Sequence, residues 1–107
     1  MIKNKFLKAV NDTALRMKAE DIKVLDLGKF DTCGEYYIIM TANSAPHMKA
    51  LVREISAMAK ALKIPVHHVE GLQAGRWVLI DCMDVIVHIF TKEERGFYNI
   101  ERLWDSE

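Results

Sequence analysis

The side chains able to do chemistry concentrate in the second half of the chain. Asp81 and Asp84 flank a short joint, Cys82-Met83. Two carboxylates held close together can bind a metal ion, and a metal-dependent nucleotidyl-transfer enzyme would use them that way. Such enzymes want acids one apart on a strand, with a Gly-Ser phosphate loop nearby. Here the acids are three apart at a turn, and no Gly-Ser pair exists. Aspartates are also ordinary turn formers. His67, His68, His88, Cys33 and Cys82 are candidate zinc ligands, yet no Cys-x-x-Cys or His-x-x-x-His spacing joins them. Adjacent strand histidines point to opposite faces, so only one of His67 and His68 can serve a given site. The Gly71–Gly75 loop lacks the glycine density and the following helix that phosphate cradles need. From this set neither metal nor cofactor is expected.

The chain that must position these groups has 107 residues, half of them hydrophobic and 28% charged. That is the balance of one globular domain, here spanning 1–107. Fifteen basic residues balance fifteen acidic ones. Proteins that grip nucleic acid by its phosphates usually carry a basic excess. Zero net charge therefore argues against phosphate-driven RNA binding and leaves a basic protein as an acceptable partner. Nothing about the two cysteines looks like a secreted, stapled scaffold, so reduced thiols are expected. No apolar run approaches the roughly 20 residues of a membrane span. The N-terminus begins a charged amphipathic pattern rather than a signal peptide. A cytoplasmic protein is the expectation.

Helical spacing opens the chain: Ile2, Phe6, Val10, Ala14 and Met17 form one stripe over the first twenty residues. Residues 22–27 read as a strand, 31–34 as a turn and 36–41 as a second strand rich in aromatic and β-branched residues. Asn43-Ser44-Ala45-Pro46 is a helix start. Met48, Leu51, Val52, Ile55, Ala59 and Leu62 then recur at three and four residues, up to a stop before Pro65. Met48 and Met58 belong to a core face of this helix. Residues 66–69 form a short third strand, so strand, helix and strand make a crossover connection. Residues 76–81 and 85–90 are two more strands, joined as an antiparallel hairpin. Thr91-Lys-Glu-Glu94 is a capping box that starts a final helical segment running to about Trp104. The expected architecture is α/β (α+β): a mixed sheet of about five strands, helices packed on it, and a C-terminal β-hairpin.

The hairpin carries the most information. With residues 81 and 84 opposed, Val78 pairs with Val87 and Ile80 with Val85 on one face. Trp77 pairs with His88 and Leu79 with Ile86 on the other, and Phe90 follows on that side. Antiparallel hairpins usually keep one polar face, but this one is apolar on both. Either helices cover both faces and Trp77 is core, or the second face is partly open and meets another protein, with Trp77 as an anchor. A third reading has the chain bury that face on a second copy of itself.

Two stretches bear on this choice by resemblance. Gly71-Leu-Gln-Ala-Gly-Arg-Trp-Val-Leu-Ile-Asp81, followed by Asp84-Val-Ile-Val-His-Ile-Phe90, resembles the signature of ribosomal silencing factors of the Iojap-related family. So does Arg95-Gly-Phe-Tyr-Asn-Ile-Glu-Arg-Leu-Trp104. Weaker likeness lies in Ala19-Glu-Asp-Ile22, Glu35-Tyr-Tyr37 and Ser44, so the resemblance spans nearly the whole chain. It implies a non-enzymatic protein that binds large-subunit ribosomal protein L-fourteen and blocks joining of the small subunit, with little direct nucleic-acid contact. It implies Trp77, Leu79, His88, Phe90, Tyr98 and Trp104 as partner-binding residues. Asp81, Asp84 and Arg95 would support that surface or pair with the basic partner. The chain departs from the pattern at Met83, where the family has Gly, and at Ala45-Pro46-His47, where it has Arg and a polar residue. Met resists positive φ, so a changed turn is expected at Met83.

Overall fold

A computed structural model describes residues 5–26 and 36–98, the last three of these by backbone alone. In chain order the elements are α1 (Lys5–Arg16), β1 (Glu20–Asp26), β2 (Tyr36–Ala42) and α2 (Ala45–Ala61). They continue with β3 (His68–Glu70), β4 (Trp77–Cys82), β5 (Val85–Thr91) and α3 (Lys92–Tyr98). The strands form one mixed sheet in the order β1-β2-β5-β4-β3. Among the described residues only β2 and β5 pair in parallel; the other neighbours are antiparallel. This is the α+β architecture that the pattern predicts. The crossover through α2 does return β3 in the direction of β2, but the β5–β4 hairpin lies between them.

Local chemistry sets the helix ends. Ser44 is extended (φ −163°, ψ 165°), and its hydroxyl accepts from the His47 amide at 3.1 Å, capping α2. Lys63 takes a left-handed φ of 59° just past that helix, and the Ile64 amide returns to the Ala59 carbonyl at 2.8 Å. Met48, Leu51, Val52, Ile55 and Ala59 are buried as the spacing predicts. Leu62 is not: the helix ends beneath it, and it stays 49% exposed. In α1 the buried stripe is Phe6, Leu7, Val10 and Ala14, with Thr13 added. Ile2 lies outside the described residues.

Both long helices lie on one face of the sheet. Their apolar stripes meet Ile38, Met40, Val78, Ile80, Val87 and Ile89, every one of them fully buried. Each such side chain stabilises the fold by about 1.5–3 kcal/mol on burial. Met48 and Met58 pack into this core.

Several boundaries, and the hairpin register, differ from the expectation. β1 begins at Glu20 rather than residue 22, with an irregular register between Glu20 and Lys23 where Asp21 takes φ 49°. β3 begins at His68, leaving Val66 and His67 in the approach. The hairpin pairs Cys82 with Val85, Ile80 with Val87 and Trp77 with Phe90, two residues away from the predicted register. The turn is therefore the tight pair Met83-Asp84, and Cys82 joins the strand. A two-residue slip preserves side-chain parity, so the face assignments survive it. The turn also keeps positive φ in spite of its methionine: Met83 sits at 69°. Its amide donates to Asp81 Oδ1 at 3.1 Å, a local bond that supports the strained position.

Candidate functional site: the aromatic face of the sheet

The face turned away from α1 and α2 is built from alternate residues of the same strands. On β4 these are Trp77, Leu79 and Asp81; on β5, Ile86, His88 and Phe90. The parallel register sets Tyr37 beside Ile86, Ile39 beside His88 and Thr41 beside Phe90. Leu25, opposite Tyr37 on β1, completes a small second core with Ile39 and Phe90, against which Tyr37 and Trp77 pack. Gly71 delivers the chain into β4. It has φ 83°, and a Cβ there would lie 2.0 Å from the Trp77 carbonyl oxygen, so only glycine fits.

The aromatic groups hold one another. The Trp77 ring stacks on Phe90, centroids 4.9 Å apart and planes 22° apart. Its indole N–H donates to His88 Nδ1 at 3.0 Å. Tyr37 also packs on His88, ring centroids 4.5 Å apart and planes tilted by 53°. A large, half-exposed tryptophan is thus fixed in both tilt and rotation. Because His88 Nδ1 accepts, the ring proton of the neutral imidazole sits on Nε2. That nitrogen is buried and has no hydrogen-bond partner among the described residues. Burial also pushes the His88 pKa down to about 4, so the neutral form dominates at physiological pH.

Along its open edge the face is rimmed by charge. His68 stands opposite Asp81 across β3–β4, and Glu70 opposite Leu79. The His68 ring lies 3.9 Å from Asp81 and 3.7 Å from Glu70. At the far end α3 closes over the strand ends. Thr91 Oγ1 accepts from the Glu94 amide at 3.3 Å, one half of the expected capping box. The reciprocal half is replaced, since the Thr91 amide donates to the Arg76 carbonyl instead. Arg95 donates to the Thr41 hydroxyl at 3.0 Å, and Lys92 lies 3.4 Å from Glu20.

The sequence-derived residues thus fall into distinct places. Trp77 and Leu79 are half-buried and retain outward surface. Phe90 has no exposed area and His88 only 3%; both lie beneath the surface and hold Trp77. Asp81 is half-buried at the rim, while Asp84 is exposed at the turn. Arg95 anchors α3. Tyr98 ends α3, and its side chain, like the whole of Trp104, lies outside the described residues, as does Cys33. Tyr37, Glu70 and the rim position of His68 were missed as parts of the face. The parallel pairing of β2 with β5 brings Tyr37 in, and no local pattern announces that pairing.

Asp81 is engaged by the Met83 amide and faces His68, and no cluster of three or more metal-ligating side chains occurs among the described residues. Cys82 is buried under the turn; burial, reinforced by the Asp81 charge, raises its pKa to about 11, which keeps it a protonated thiol. Among the described residues no helix is long and apolar enough to cross a membrane.

Fold and face together define a class: a small α+β module, helices on one side of a mixed sheet, a preorganised aromatic cluster on the other. Residues 2–107 match the family model described as "Ribosomal silencing factor during starvation", and the chain belongs to that family. It is 42% identical over 87 residues to ribosomal silencing factor RsfS of Bacillus subtilis, covering 81% of this chain and 74% of that one. A crystal structure of a Chromobacterium violaceum protein superposes with a TM-score of 0.91 at 30% identity, covering 98% of this chain and 88% of that one. Mouse "Mitochondrial assembly of ribosomal large subunit protein 1" is 30% identical over 89 residues, 80% of this chain and 39% of that longer protein. The bacterial relative is named as a regulatory factor rather than an enzyme, and translation regulation follows from the family.

Proposed function

We propose that this protein binds the large ribosomal subunit through ribosomal protein L-fourteen and thereby blocks joining of the small subunit in the cytoplasm. The observation that carries the reading is the fixed Trp77, stacked on Phe90 and hydrogen-bonded to His88, on a face rimmed by Asp81 and Glu70. A preorganised aromatic anchor binds without a large ordering cost, and an acidic rim complements a basic ribosomal protein. In this reading Trp77 and Leu79 make contact, His88 and Phe90 support them, and Asp81 steers the approach. Tyr98 and Trp104 also bind the partner, Arg95 fixes α3 beside the face, and Asp84 adds charge at the hairpin tip. Silencing is steric: a protein seated on the intersubunit face occupies space that the small subunit needs. The free protein can also pair through the same face, which would compete with the ribosome.

Calorimetric titration of purified L-fourteen tests the docking step. Trp77→Ala is expected to weaken binding by 2 kcal/mol or more, roughly thirtyfold, while melting shows the protein still folded. Equal affinity of the folded variant and the wild type would remove Trp77 from the interface.

A further inference from the structure

Zero net charge conceals a segregated charge distribution. Residues 5–18 and 45–63, which comprise α1, α2 and their ends, carry eight basic and two acidic side chains. The described residues outside these two stretches carry four basic side chains and eight acidic ones. The fold places both helices on one side of the sheet, opposite the acid-rimmed aromatic face. The helix layer is thus basic, while Glu70 and Asp81 rim the opposite face.

The basic side is ordered. At 100° per residue, Lys49, Arg53 and Lys60 fall within an arc of about 40° on α2, and their stripe runs for about 16 Å along the helix. All three are exposed. The two acids of the helical layer are engaged elsewhere: Asp12 with Lys8 at 2.9 Å, and Glu54 with Arg16 at 3.6 Å, on the α1 side. Among the described residues no acid pairs with Lys49, Arg53 or Lys60.

We infer that the α2 stripe is a contact surface for the phosphodiester backbone of RNA. A row of unpaired cations fits a polyanion with regularly spaced charges, and phosphates are neutralised by such rows with release of counterions. Membership of a ribosomal family makes RNA the polyanion at hand. An anionic membrane fits less well. Surface-lying helices insert an apolar face, and the apolar stripes of α1 and α2 are already spent on the core. The zero net charge that argued against RNA binding is an average that hides this basic helix layer. The protein can therefore hold a basic protein on its sheet side and RNA on its helix side. The RNA contact does not depend on the docking reading.

The test is fluorescence anisotropy with a short single-stranded RNA, over a salt series, using the wild type and Lys49→Gln/Arg53→Gln/Lys60→Gln. Exposed helix positions tolerate Gln, and melting verifies the fold. The wild type is expected to bind with a log–log salt slope that the triple variant reduces by about 2, with about a hundredfold lower affinity near 0.1 M salt. Removing the same charge elsewhere, in Lys23→Gln/Arg76→Gln/Lys92→Gln, is expected to keep most of the slope. Equal losses in both variants, no wild-type binding at low salt, or binding to phosphatidylserine vesicles but not to RNA would each overturn the inference. L-fourteen binding by the triple variant, expected at the wild-type level, separates this surface from the docking face.

Discussion

The two faces of one sheet are made by neighbouring residues of the same strands, yet they follow different rules. On the helix-covered face, Val78, Ile80, Val87 and Ile89 are aliphatic, fully buried and free of polar side-chain atoms. On the other, Trp77, His88 and Phe90 stack, donate and accept, and one buried nitrogen has no hydrogen-bond partner among the described residues. Aliphatic packing gives stability, and any side chain of the right volume would do. The aromatic face retains a buried polar group that costs about 1–3 kcal/mol when unsatisfied. Its return is the orientation of Trp77, which matters only if something meets that ring.

Substitutions on the two faces should separate stability from docking. The largest expected effect is on the aliphatic side: Ile80→Ala should cost about 2–5 kcal/mol in chemical denaturation while leaving the L-fourteen affinity of the folded fraction unchanged. A change in affinity comparable to the stability loss would show that the faces are not independent.

Acid should act mainly through the aromatic side. His88 has a folded pKa near 4, below its unfolded value of about 6.5. The unfolded state therefore binds more protons between these values, so stability is lost as pH falls from 6.5 to 4 and levels off below that. The loss through this group is at most about 3 kcal/mol. His88→Phe should abolish this part of the pH dependence, visible as the difference between the two stability–pH curves, and weaken docking by freeing Trp77. Superimposable curves would contradict the assignment.

A smaller effect concerns the tip that joins the faces. Met83 occupies a left-handed position at the first place of a two-residue turn, where glycine is favoured. Met83→Gly should raise stability by up to about 1 kcal/mol, measured by thermal melting, without altering docking. Cys82, pinned under the same turn with its pKa near 11, should resist thiol reagents until the protein unfolds. Rapid labelling of the native state would show that the turn opens.

Much of this was legible in the sequence where the controlling interaction was local. Helix spacing, the Ser44 cap and the alternation along β4 and β5 each depend on residues a few places apart. The hairpin register was misread by two, yet its faces were right, because parity outlasts an even slip. What lay beyond reach was long-range. The pairing of Tyr36–Ala42 with Val85–Thr91 brings Tyr37 onto His88 and joins segments about fifty residues apart. The burial of Phe90 and His88 depends on the same pairing, so the sequence could name them without distinguishing contact from support. Net charge is uninformative about placement for a related reason: it sums over surfaces that only the fold separates.

The central claim is that the aromatic face seats the protein on the large subunit and so keeps the subunits apart. Co-sedimentation with isolated large subunits, followed by a subunit-joining assay, tests it most directly. The wild type should travel with large subunits and lower the fraction of joined ribosomes, and folded Trp77→Ala should do neither. If the wild type fails to bind at micromolar concentration, or Trp77→Ala silences as well as it does, the aromatic face is not the docking surface.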